Sequence, residues 1–393
     1  MAEVVEVRVP ASTANLGPGF DTVGMALELF NVVRMSTTTT TGGLEITVLG
    51  DSRDLPLDWT NLVARSAAVL FEEVGVPVPG LRIHVQQRIP VSRGLGSSAA
   101  GIVAGLLAAN ALAGFPLGDD EVFRLAVEIE GHPDNVAAAL FGGFVVSVRG
   151  FGSEAAAMGT DGGATGAGLP SVGSIGSVGF VGSAGSGGSG GGALLAARDA
   201  ATKASAQAGA GTTGTAGTPS GRGCLRYLKL DVPRSLHAVV AIPDFQVPTE
   251  LARHVLPRNV PMADAVHNIG RTALLVASIA LGRLELLADA MEDRLHQPYR
   301  ADLTPGLTDV LAAARKEGAL GAALSGSGPS VLAFASHDPR AVAEAMAAAF
   351  AAHGVACRTV ITRASSQGAT VDKDPRIVAK EQISGRAGAF ETR

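Results

Sequence analysis

The sequence predicts a chain of mixed helices and strands, with two α/β layers on either side of a long insert. Two observations predict it. Strand-like and helix-like periodicities alternate over 3–149 and return over 225–362. Between them, 151–222 holds 21 of the 51 glycines among long Ser, Ala and Thr stretches. This segment has too few large apolar side chains to offset its ordering entropy, so we expect a disordered insertion, with a functional lid as the alternative.

Composition limits the function classes. The chain has 393 residues, enough for two domains, and a net charge of −5 that argues against a nucleic-acid-binding surface. Its two cysteines, Cys224 and Cys357, make no disulfide framework or cysteine-rich zinc site and suit a reducing compartment, the cytoplasm. Met1–Pro10 carries Glu3 and Glu6 and no basic region, so no signal peptide is predicted.

The first part of the chain is typical of strands around one helix. Residues 3–10 alternate as a strand does, and 60–75 repeat apolar residues at the helical period, with Thr60 as a cap. The elements predicted up to residue 89 are strand 3–10, a turn-rich loop at 15–21, strands 23–35 and 44–49, helix 60–75 and strand 81–89.

A helix of small residues comes next. Residues 99–117 are nearly all apolar, interrupted by Asn110 and closed by Pro116. Because the run is rich in Gly and Ala and only marginally long enough to span a bilayer, we expect a buried helix, with a membrane span as the alternative. The following elements are helix 119–130 capped by Asp119, a loop at 131–135 and then a helix or strand into 143–149.

The last third of the chain returns to alternating elements. Those predicted are strands 225–231 and 236–242, helices 263–281, 283–294 and 304–317, strands 319–324 and 330–335 around the loop 325–329, helix 338–353 and strand 355–362. The tail from about residue 364 is polar, and we expect it to be poorly ordered.

The strongest signal for chemistry is Pro90–Ala100, with the sequence PVSRGLGSSAA. Its glycines let the backbone approach a ligand, its serines supply hydroxyls, and the helix that follows offers free N–H groups and a positive dipole end. This predicts an anion site, with a tight turn as the alternative. It is not a Walker loop, because no Lys follows. The residues concerned are Pro90, Val91, Ser92, Arg93, Gly94, Leu95, Gly96, Ser97, Ser98, Ala99 and Ala100.

Carboxylate and amide side chains stand in three other places. Asn15 and Asp21 bracket NLGPGFD, where Asp21 can meet an ammonium group or both residues can cap turns. Glu130 ends a predicted helix, where it can hold Mg²⁺ or remain solvated. Asp134 and Asn135 follow directly and can position a hydroxyl or form a turn.

Basic side chains and a late loop add weaker signals. Arg253 and Arg300 offer guanidinium forks for a carboxylate, or are solvated surface residues. The loop Ser325–Pro329 can wrap a phosphate, hold a neighbouring loop or close a hairpin. His132 is interpreted as structural, because no second histidine stands at a metal-like spacing.

Three motifs together resemble the GHMP kinase superfamily: VPASTANLGPGFD, PVSRGLGSSAA and ALSGSGPS. Within it, STANLGPGFDTVGMAL, EGHPDN, PTELAR and QPYR resemble the homoserine kinase family. The likeness covers 1–150 and 223–362 and leaves out the insert. It implies a domain at 1–150, the insertion at 151–222, a second domain at 223–362 and the tail at 363–393.

The resemblance implies a two-domain α+β fold. The N-terminal, ATP-binding domain would hold the phosphate loop in a left-handed βαβ unit, an exception to the common handedness, and the C-terminal domain would be ferredoxin-like. The implied reaction transfers the γ-phosphoryl group of ATP to the side-chain hydroxyl of L-homoserine, in threonine biosynthesis. A homodimer is also compatible with the resemblance.

At the nucleotide end, the resemblance implies that Pro90–Ala100 cradles the triphosphate, with Asn61 beside the adenine. Ser98 and Glu130 would hold Mg²⁺. Because no lysine follows Ser98, the cationic help would come from Mg²⁺, the helix terminus and Arg93.

At the acceptor end, the resemblance implies that Asp21 faces the substrate ammonium and that Arg253 and Arg300 face its carboxylate. Asn15 and Asp134 would lie near the reacting hydroxyl, where Asp134 removes the proton or only orients the hydroxyl. The residues implied here are Asn15, Asp21, Asp134, Asn135, Thr249, Arg253 and Arg300.

Two alternative functions stay open at this point. One is a related kinase acting on mevalonate, a sugar or shikimate, for which no carboxylate clamp, or a differently placed one, is expected. The other is a non-catalytic nucleotide-binding protein on the same scaffold, which loss of Ser98, Glu130 or Asp134 would favour, although all three are present.

Overall fold

The computed structural model describes residues 4–50, 55–149, 213–216 and 225–373. The predicted disordered insertion over 151–222 therefore lies outside the described residues, except for Thr213–Ala216, which form a strand. The predicted tail lies outside them from residue 374 onward.

The larger sheet is built mainly from the first part of the chain. It has eight strands in the order β12-β1-β2-β5-β7-β6, and β4 pairs with both β2 and β3. All pairs are antiparallel except β3 with β4. The strands are β1 Val4–Asn15, β2 Gly19–Thr38, β3 Leu44–Gly50, β4 Gly80–Gln87, β5 Phe144–Arg149, β6 Thr213–Ala216, β7 Leu225–Leu230 and β12 Thr370–Asp372.

Four helices accompany this sheet, of which the second and the fourth contact several of its strands, while the first and the third pack mainly on those two helices. They are α1 Leu62–Glu73, α2 Ser97–Leu112, α3 Asp119–Glu130 and α4 Asp134–Phe141. Most of α2 is buried, and a Cβ added at Gly105 would lie 2.3 Å from the carbonyl oxygen of Val63 in α1. Small side chains thus allow close contact between α1 and α2, which confirms the predicted buried helix. Across the residues that the structure describes, no helix meets the length and hydropathy needed to cross a bilayer.

The smaller sheet is built from the last third of the chain. Its four antiparallel strands are β8 His237–Pro243, β9 Gly321–Leu324, β10 Val331–Ala335 and β11 Cys357–Arg363, in the order β11-β8-β10-β9. Two helices, α9 Leu307–Lys316 and α10 Pro339–Ala352, pack against it. This is the expected ferredoxin-like arrangement.

Four helices of 4 to 20 residues lie between β8 and α9, and two of them carry residues predicted above for the site. They are α5 Thr249–His254, α6 Met262–Leu281, α7 Leu287–Ala290 and α8 Gln297–Arg300, with 3₁₀ turns at Leu284–Leu286 and Ala301–Leu303. The predicted helix over 283–294 is confirmed only as far as Ala290, as a 3₁₀ turn followed by α7. The carboxylate of Asp293 accepts hydrogen bonds from the backbone N–H groups of Leu295, His296 and Gln297, which fixes a turn at this point instead.

The expectation of a poorly ordered tail is wrong for 364–373. Thr370–Asp372 pair antiparallel with β1, and Ala364 forms a bridge to Leu27. The polar composition did not indicate this strand, because an edge strand is held by backbone hydrogen bonds along one side and does not need an apolar sequence. Strands β7 and β12 also join the sheet that starts with β1, although both follow residue 150. The domain limits drawn from the sequence stay predictions.

Two predicted helix caps lie one residue from the observed ones. The N-cap of α1 is Asn61, whose Oδ1 accepts from the backbone N–H of Val63 at 3.0 Å, while Thr60 donates its hydroxyl to Asp58. The N-cap of α3 is Gly118 rather than Asp119.

We expect Asn61→Ala to lower the free energy of unfolding by about 1–2 kcal/mol, because a buried cap is lost and the carbonyl of Pro56 loses its donor. Chemical denaturation measures this. Thr60→Ala, which removes only an exposed hydroxyl, should change stability by less than about 0.5 kcal/mol. An equal loss in the two variants would contradict the assignment of the cap.

Candidate active site

The loop that precedes α2 has the backbone shape of an anion site. Gly94 and Gly96 have φ angles of 71° and 65°, in the left-handed region. A Cβ at Gly96 would lie 1.9 Å from the hydroxyl of Ser12, and one at Gly94 would lie 2.1 Å from the carbonyl oxygen of Ser325. Both positions therefore require glycine, for conformation and for space.

The first turn of α2 points free donors at the same place. Its first helical hydrogen bond runs from the N–H of Ala100 to the carbonyl of Gly96. The N–H groups of Ser97, Ser98 and Ala99 precede that bond, so no helical carbonyl satisfies them. Together with the positive end of the helix dipole, they make a site for phosphate.

Ser98 and Glu130 meet at the start of α2. The hydroxyl of Ser98 donates to Oε1 of Glu130 at 2.6 Å. The Glu130 side chain is only 9% exposed, so the alternative of a solvated helix end is wrong. Burial raises the pKa of this carboxyl above its usual value, although the Ser98 hydrogen bond opposes the shift. A buried carboxylate beside a hydroxyl is a ligand pair that suits Mg²⁺.

Asp134 lies at the first position of α4 and is 2% exposed. Its Oδ1 accepts from the backbone N–H of Asn135 and from Nδ1 of His132, both at 2.7 Å. Oδ1 of Asn135 in turn accepts from the hydroxyl of Ser12 at 2.8 Å. Asp134 is thus oriented through one oxygen by two neighbours, His132 and Asn135, and Asn135 is itself held by Ser12, which is more than turn formation needs.

His132 lines the cleft, and its interpretation as structural stays a prediction. Burial opposes its protonation, but the hydrogen bond and the charge of Asp134 outweigh burial and raise the pKa of the imidazole. Among the described residues, ligand atoms of Asp21, His132 and Asp134 lie within 4.8 Å of one another. The pairing of Asp21 with Arg253 already supplies a cation there.

Asn15 and Asp21 flank the turn between β1 and β2, with positive φ angles of 68° and 52°. Oδ1 of Asn15 accepts from the backbone N–H of Asp21, and its Nδ2 donates to the carbonyl of Gly326 at 3.0 Å. The carboxylate of Asp21 forms a two-pronged ion pair with Arg253, at 2.8 and 3.0 Å. The turn therefore presents a matched pair of opposite charges to the cleft.

Arg300 is 2% exposed and is held by neutral groups. Its Nε donates to the carbonyl of Ala252, and Nη1 donates to the carbonyl of Gly326 and to Nδ1 of His296. Burial, with repulsion from Arg253, lowers the pKa of Arg300 to about 10, so it stays charged at neutral pH. In the described chain it has no carboxylate within ion-pair distance, which leaves a positive charge to be matched by a ligand.

The loop 325–329 closes the β9–β10 hairpin and also holds its neighbours. The Ser325 hydroxyl lies 2.6 Å from the carbonyl oxygen of Gly94 and 2.8 Å from the hydroxyl of Thr13. Ser327 lies 3.4 Å from the Thr249 hydroxyl. The alternatives of a hairpin and of a loop that supports another loop are therefore both confirmed.

The guanidinium of Arg93 is bonded to other groups of the protein. It donates to Oδ1 of Asp244 and to the carbonyl of Phe245, at 3.3 and 3.2 Å. These bonds link the phosphate loop to the segment after β8. Because Arg93 also lines the cleft, the expectation that it helps to neutralise the phosphates stays a prediction.

One cleft of about 310 Å³ brings these groups together. Of the predicted site residues, only Pro90, Ala99 and Ala100 do not line it, because they are buried behind the loop. Those that line it are Asn15, Asp21, Asn61, Val91, Ser92, Arg93, Gly94, Leu95, Gly96, Ser97, Ser98, Glu130, Asp134, Asn135, Thr249, Arg253 and Arg300.

The two-sheet fold and the lysine-free phosphate loop define a kinase of the GHMP class. Two families match the chain: GHMP kinases N terminal domain over residues 61–143, and GHMP kinases C terminal over residues 275–353.

Individual relatives show which family within the GHMP kinases the chain belongs to. A homoserine kinase of Moorella thermoacetica is 38% identical to this chain, over 93% of this chain and 99% of the relative. A homoserine kinase of Carboxydothermus hydrogenoformans is 39% identical, over 93% of this chain and 96% of the relative. The crystal structure of homoserine kinase from Cytophaga hutchinsonii has a TM-score of 0.70 at 28% identity, covering 95% of this chain and 98% of that one. The chain belongs to the homoserine kinase family.

Proposed function

We propose that the protein transfers the γ-phosphoryl group of ATP to the side-chain hydroxyl of L-homoserine, giving O-phospho-L-homoserine for threonine biosynthesis. One observation carries the proposal: the phosphate loop and the unmatched charge of Arg300 line the same cleft. A phosphate donor and a carboxylate-bearing acceptor can thus bind side by side. The scarcity of cysteine supports a cytoplasmic location. Homodimer formation stays a prediction.

At the nucleotide end, backbone N–H groups of the loop and of Ser97 to Ala99 hold the phosphate oxygens. Asn61 lies by the adenine, although its amide is already bonded to Val63 and Pro56. Binding by backbone dipoles needs no lysine and costs little reorganisation, because the fold fixes the donors beforehand.

Ser98 and Glu130 are the residues that would hold Mg²⁺. Their oxygens are 2.6 Å apart beside the phosphate loop, and they are of the kind that this hard cation prefers. The bound ion supplies charge neutralisation on the phosphates. The chain itself contributes the fixed, buried carboxylate and the hydroxyl that it orients.

At the acceptor end, Arg300 binds the carboxylate of L-homoserine, and the Asp21–Arg253 pair faces the ammonium and the carboxylate of the same substrate. The ammonium approaches Asp21 while the carboxylate approaches both guanidinium groups. Thr249 stands next to Arg253 on the same turn of α5 and adds a hydroxyl.

Asn15 and Asp134 hold the reacting hydroxyl, and Asn135 supports the loop. All described hydrogen bonds of the Asp134 carboxylate go to Oδ1, so Oδ2 remains for the substrate proton. Phosphoryl transfer depends mainly on positioning, so Asp134 serves either by accepting the proton or by orienting the hydroxyl towards the γ-phosphate.

A coupled ADP-release assay with a panel of small alcohols tests the proposal. We expect ADP release with L-homoserine, and much less with mevalonate, galactose or shikimate. Release on one of those alcohols but not on homoserine would reassign the substrate within the GHMP kinases. No release on any of them, with ATP still bound, would favour a non-catalytic nucleotide-binding protein.

We expect activity to be lost on the acid side of the pH profile, with the midpoint of that loss above pH 4.5. Burial raises the pKa of Glu130 above that ordinary value, and the protonated carboxyl cannot hold a cation. The carboxylate is therefore present above the raised pKa and lost as pH falls through it. The profile of kcat/KM for ATP reports the free enzyme and measures this. A profile flat down to pH 4.5 would contradict the assignment of Glu130.

A further inference from the structure

A buried histidine stands directly behind the acceptor end of the cleft. His296 is 0% exposed and does not line the cleft. Its Nε2 lies 2.7 Å from the carbonyl oxygen of Gly17, so this nitrogen carries the proton and donates. Nδ1 is then an acceptor, and Nη1 of Arg300 donates to it at 3.3 Å. One imidazole ring thus joins Arg300 to the β1–β2 turn.

The other contacts of Arg300 leave one nitrogen for a ligand. Nε and Nη1 have backbone carbonyl partners at Ala252 and Gly326. Within the described ranges, Nη2 has no hydrogen-bond partner of its own. The ring of Phe20 lies beside the same group, 5.4 Å from the His296 ring and 5.4 Å from the Arg300 guanidinium carbon. The contacts of Nε and Nη1 therefore fix the direction of the Arg300 guanidinium, while the edge that carries Nη2 faces the cleft.

His296 is itself held in place by two other parts of the chain, the turn at Gly17 and the carboxylate of Asp293. Gly17 belongs to the turn that presents Asn15 and Asp21, and a Cβ there would lie 2.2 Å from the carbonyl oxygen of Met291. The carboxylate of Asp293 accepts from the backbone N–H of His296 and fixes the start of α8. The His296 ring is thus one of two links between Arg300 and the turn, and the other is the carbonyl of Gly326, which accepts from both Arg300 and Asn15.

We propose that His296 is a positioning residue that sets the preference for α-amino-acid acceptors, by holding Arg300 at a fixed place relative to Asn15 and Asp21. This inference rests on the proposed function, because it assumes that Arg300 receives the acceptor's carboxylate. His296 touches no reacting atom. Its loss therefore lowers the recognition of the carboxylate while leaving the nucleotide end intact.

The test is the ratio of kcat/KM for L-homoserine to kcat/KM for 3-aminopropan-1-ol, which keeps the ammonium and hydroxyl but lacks the carboxylate. A merely unfolded fraction lowers both values equally and leaves the ratio unchanged. We expect His296→Phe and His296→Asn to lower the ratio at least about tenfold, since a fixed charge-assisted contact is worth about that factor. The KM for ATP should stay within about twofold.

Three controls complete the experiment. His296→Asn is polar and small, so it carries the test if the Phe variant does not fold. His296→Gln carries the same amide as Asn on a longer side chain, long enough to approach the carbonyl of Gly17 in place of Nε2, so it should recover part of the ratio. His353→Phe is the same substitution outside the cleft, where His353 pairs with Asp309, and should leave the ratio unchanged.

Two results would overturn the inference and separate it from the proposed function. A wild-type ratio well above one that stays within about twofold in His296→Phe and His296→Asn would refute only the positioning role. A wild-type protein that shows no preference for homoserine over 3-aminopropan-1-ol would refute the proposed substrate, and the inference with it.

Discussion

Asp134→Asn should lower kcat by about 10²–10⁴, the range that a positioned acid or base contributes to catalysis. The amide removes the charge next to the reacting hydroxyl and replaces Oδ2 with an NH₂ group that cannot accept the substrate proton, while its oxygen can still accept from His132 and Asn135. Steady-state kinetics at saturating ATP and L-homoserine measure the loss. The fold should persist, because the substitution preserves the size of a side chain at a helix start.

The matched control for this variant is Asp309→Asn. Asp309 also pairs with a histidine, His353, but the pair is exposed and lies outside the cleft. Activity should be unchanged in the control. If Asp134→Asn kept kcat within about threefold of wild type, Asp134 would hold neither the proton nor the hydroxyl, and the chemistry would have to lie elsewhere.

Arg300→Ala should lower kcat/KM for L-homoserine by about 10²-fold, with the KM for ATP nearly unchanged. The variant loses a buried guanidinium that is pre-aimed by Ala252, Gly326 and His296. Arg300→Lys should recover little of this, because a lysine ammonium cannot reproduce the planar fork. Kinetics with each substrate varied in turn separate the acceptor from the nucleotide effect.

Arg82→Ala is the control for the arginine series. Arg82 is exposed, pairs with Glu45 on the neighbouring strand β3 and does not itself line the cleft. We expect it to leave both kinetic constants unchanged. An Arg300→Ala enzyme whose KM rises for ATP and not for homoserine would place the carboxylate site somewhere else.

The local parts of the fold and site could be predicted from sequence. The phosphate loop is contiguous, and its glycines are required by local backbone angles and close packing at Gly94 and Gly96. The helix after it is also contiguous, so its small residues indicated burial directly. Strand periodicity likewise located most of both sheets.

The parts that depend on distant pairing could not be predicted. The partner of Arg93 is Asp244, 151 positions away, and that of Arg253 is Asp21, 232 positions away. No local pattern encodes such pairs. The interpretation of His132 as structural and the lack of any expectation for His296 have the same cause, because their contacts come from neighbours brought in by the fold. His132 lies within EGHPDN and His296 directly precedes QPYR, and that adjacency was the only sequence signal.

The central claim is that one cleft holds a triphosphate on a lysine-free loop and an amino acid's carboxylate on Arg300. A structure of the protein with L-homoserine and a nonhydrolysable ATP analogue tests it most directly. We predict phosphate oxygens on the N–H groups at the start of α2, the carboxylate on Arg300, and the homoserine hydroxyl between Asp134 and the γ-phosphate. A carboxylate bound away from Arg300, or phosphates bound away from Gly94–Ser98, would contradict the account.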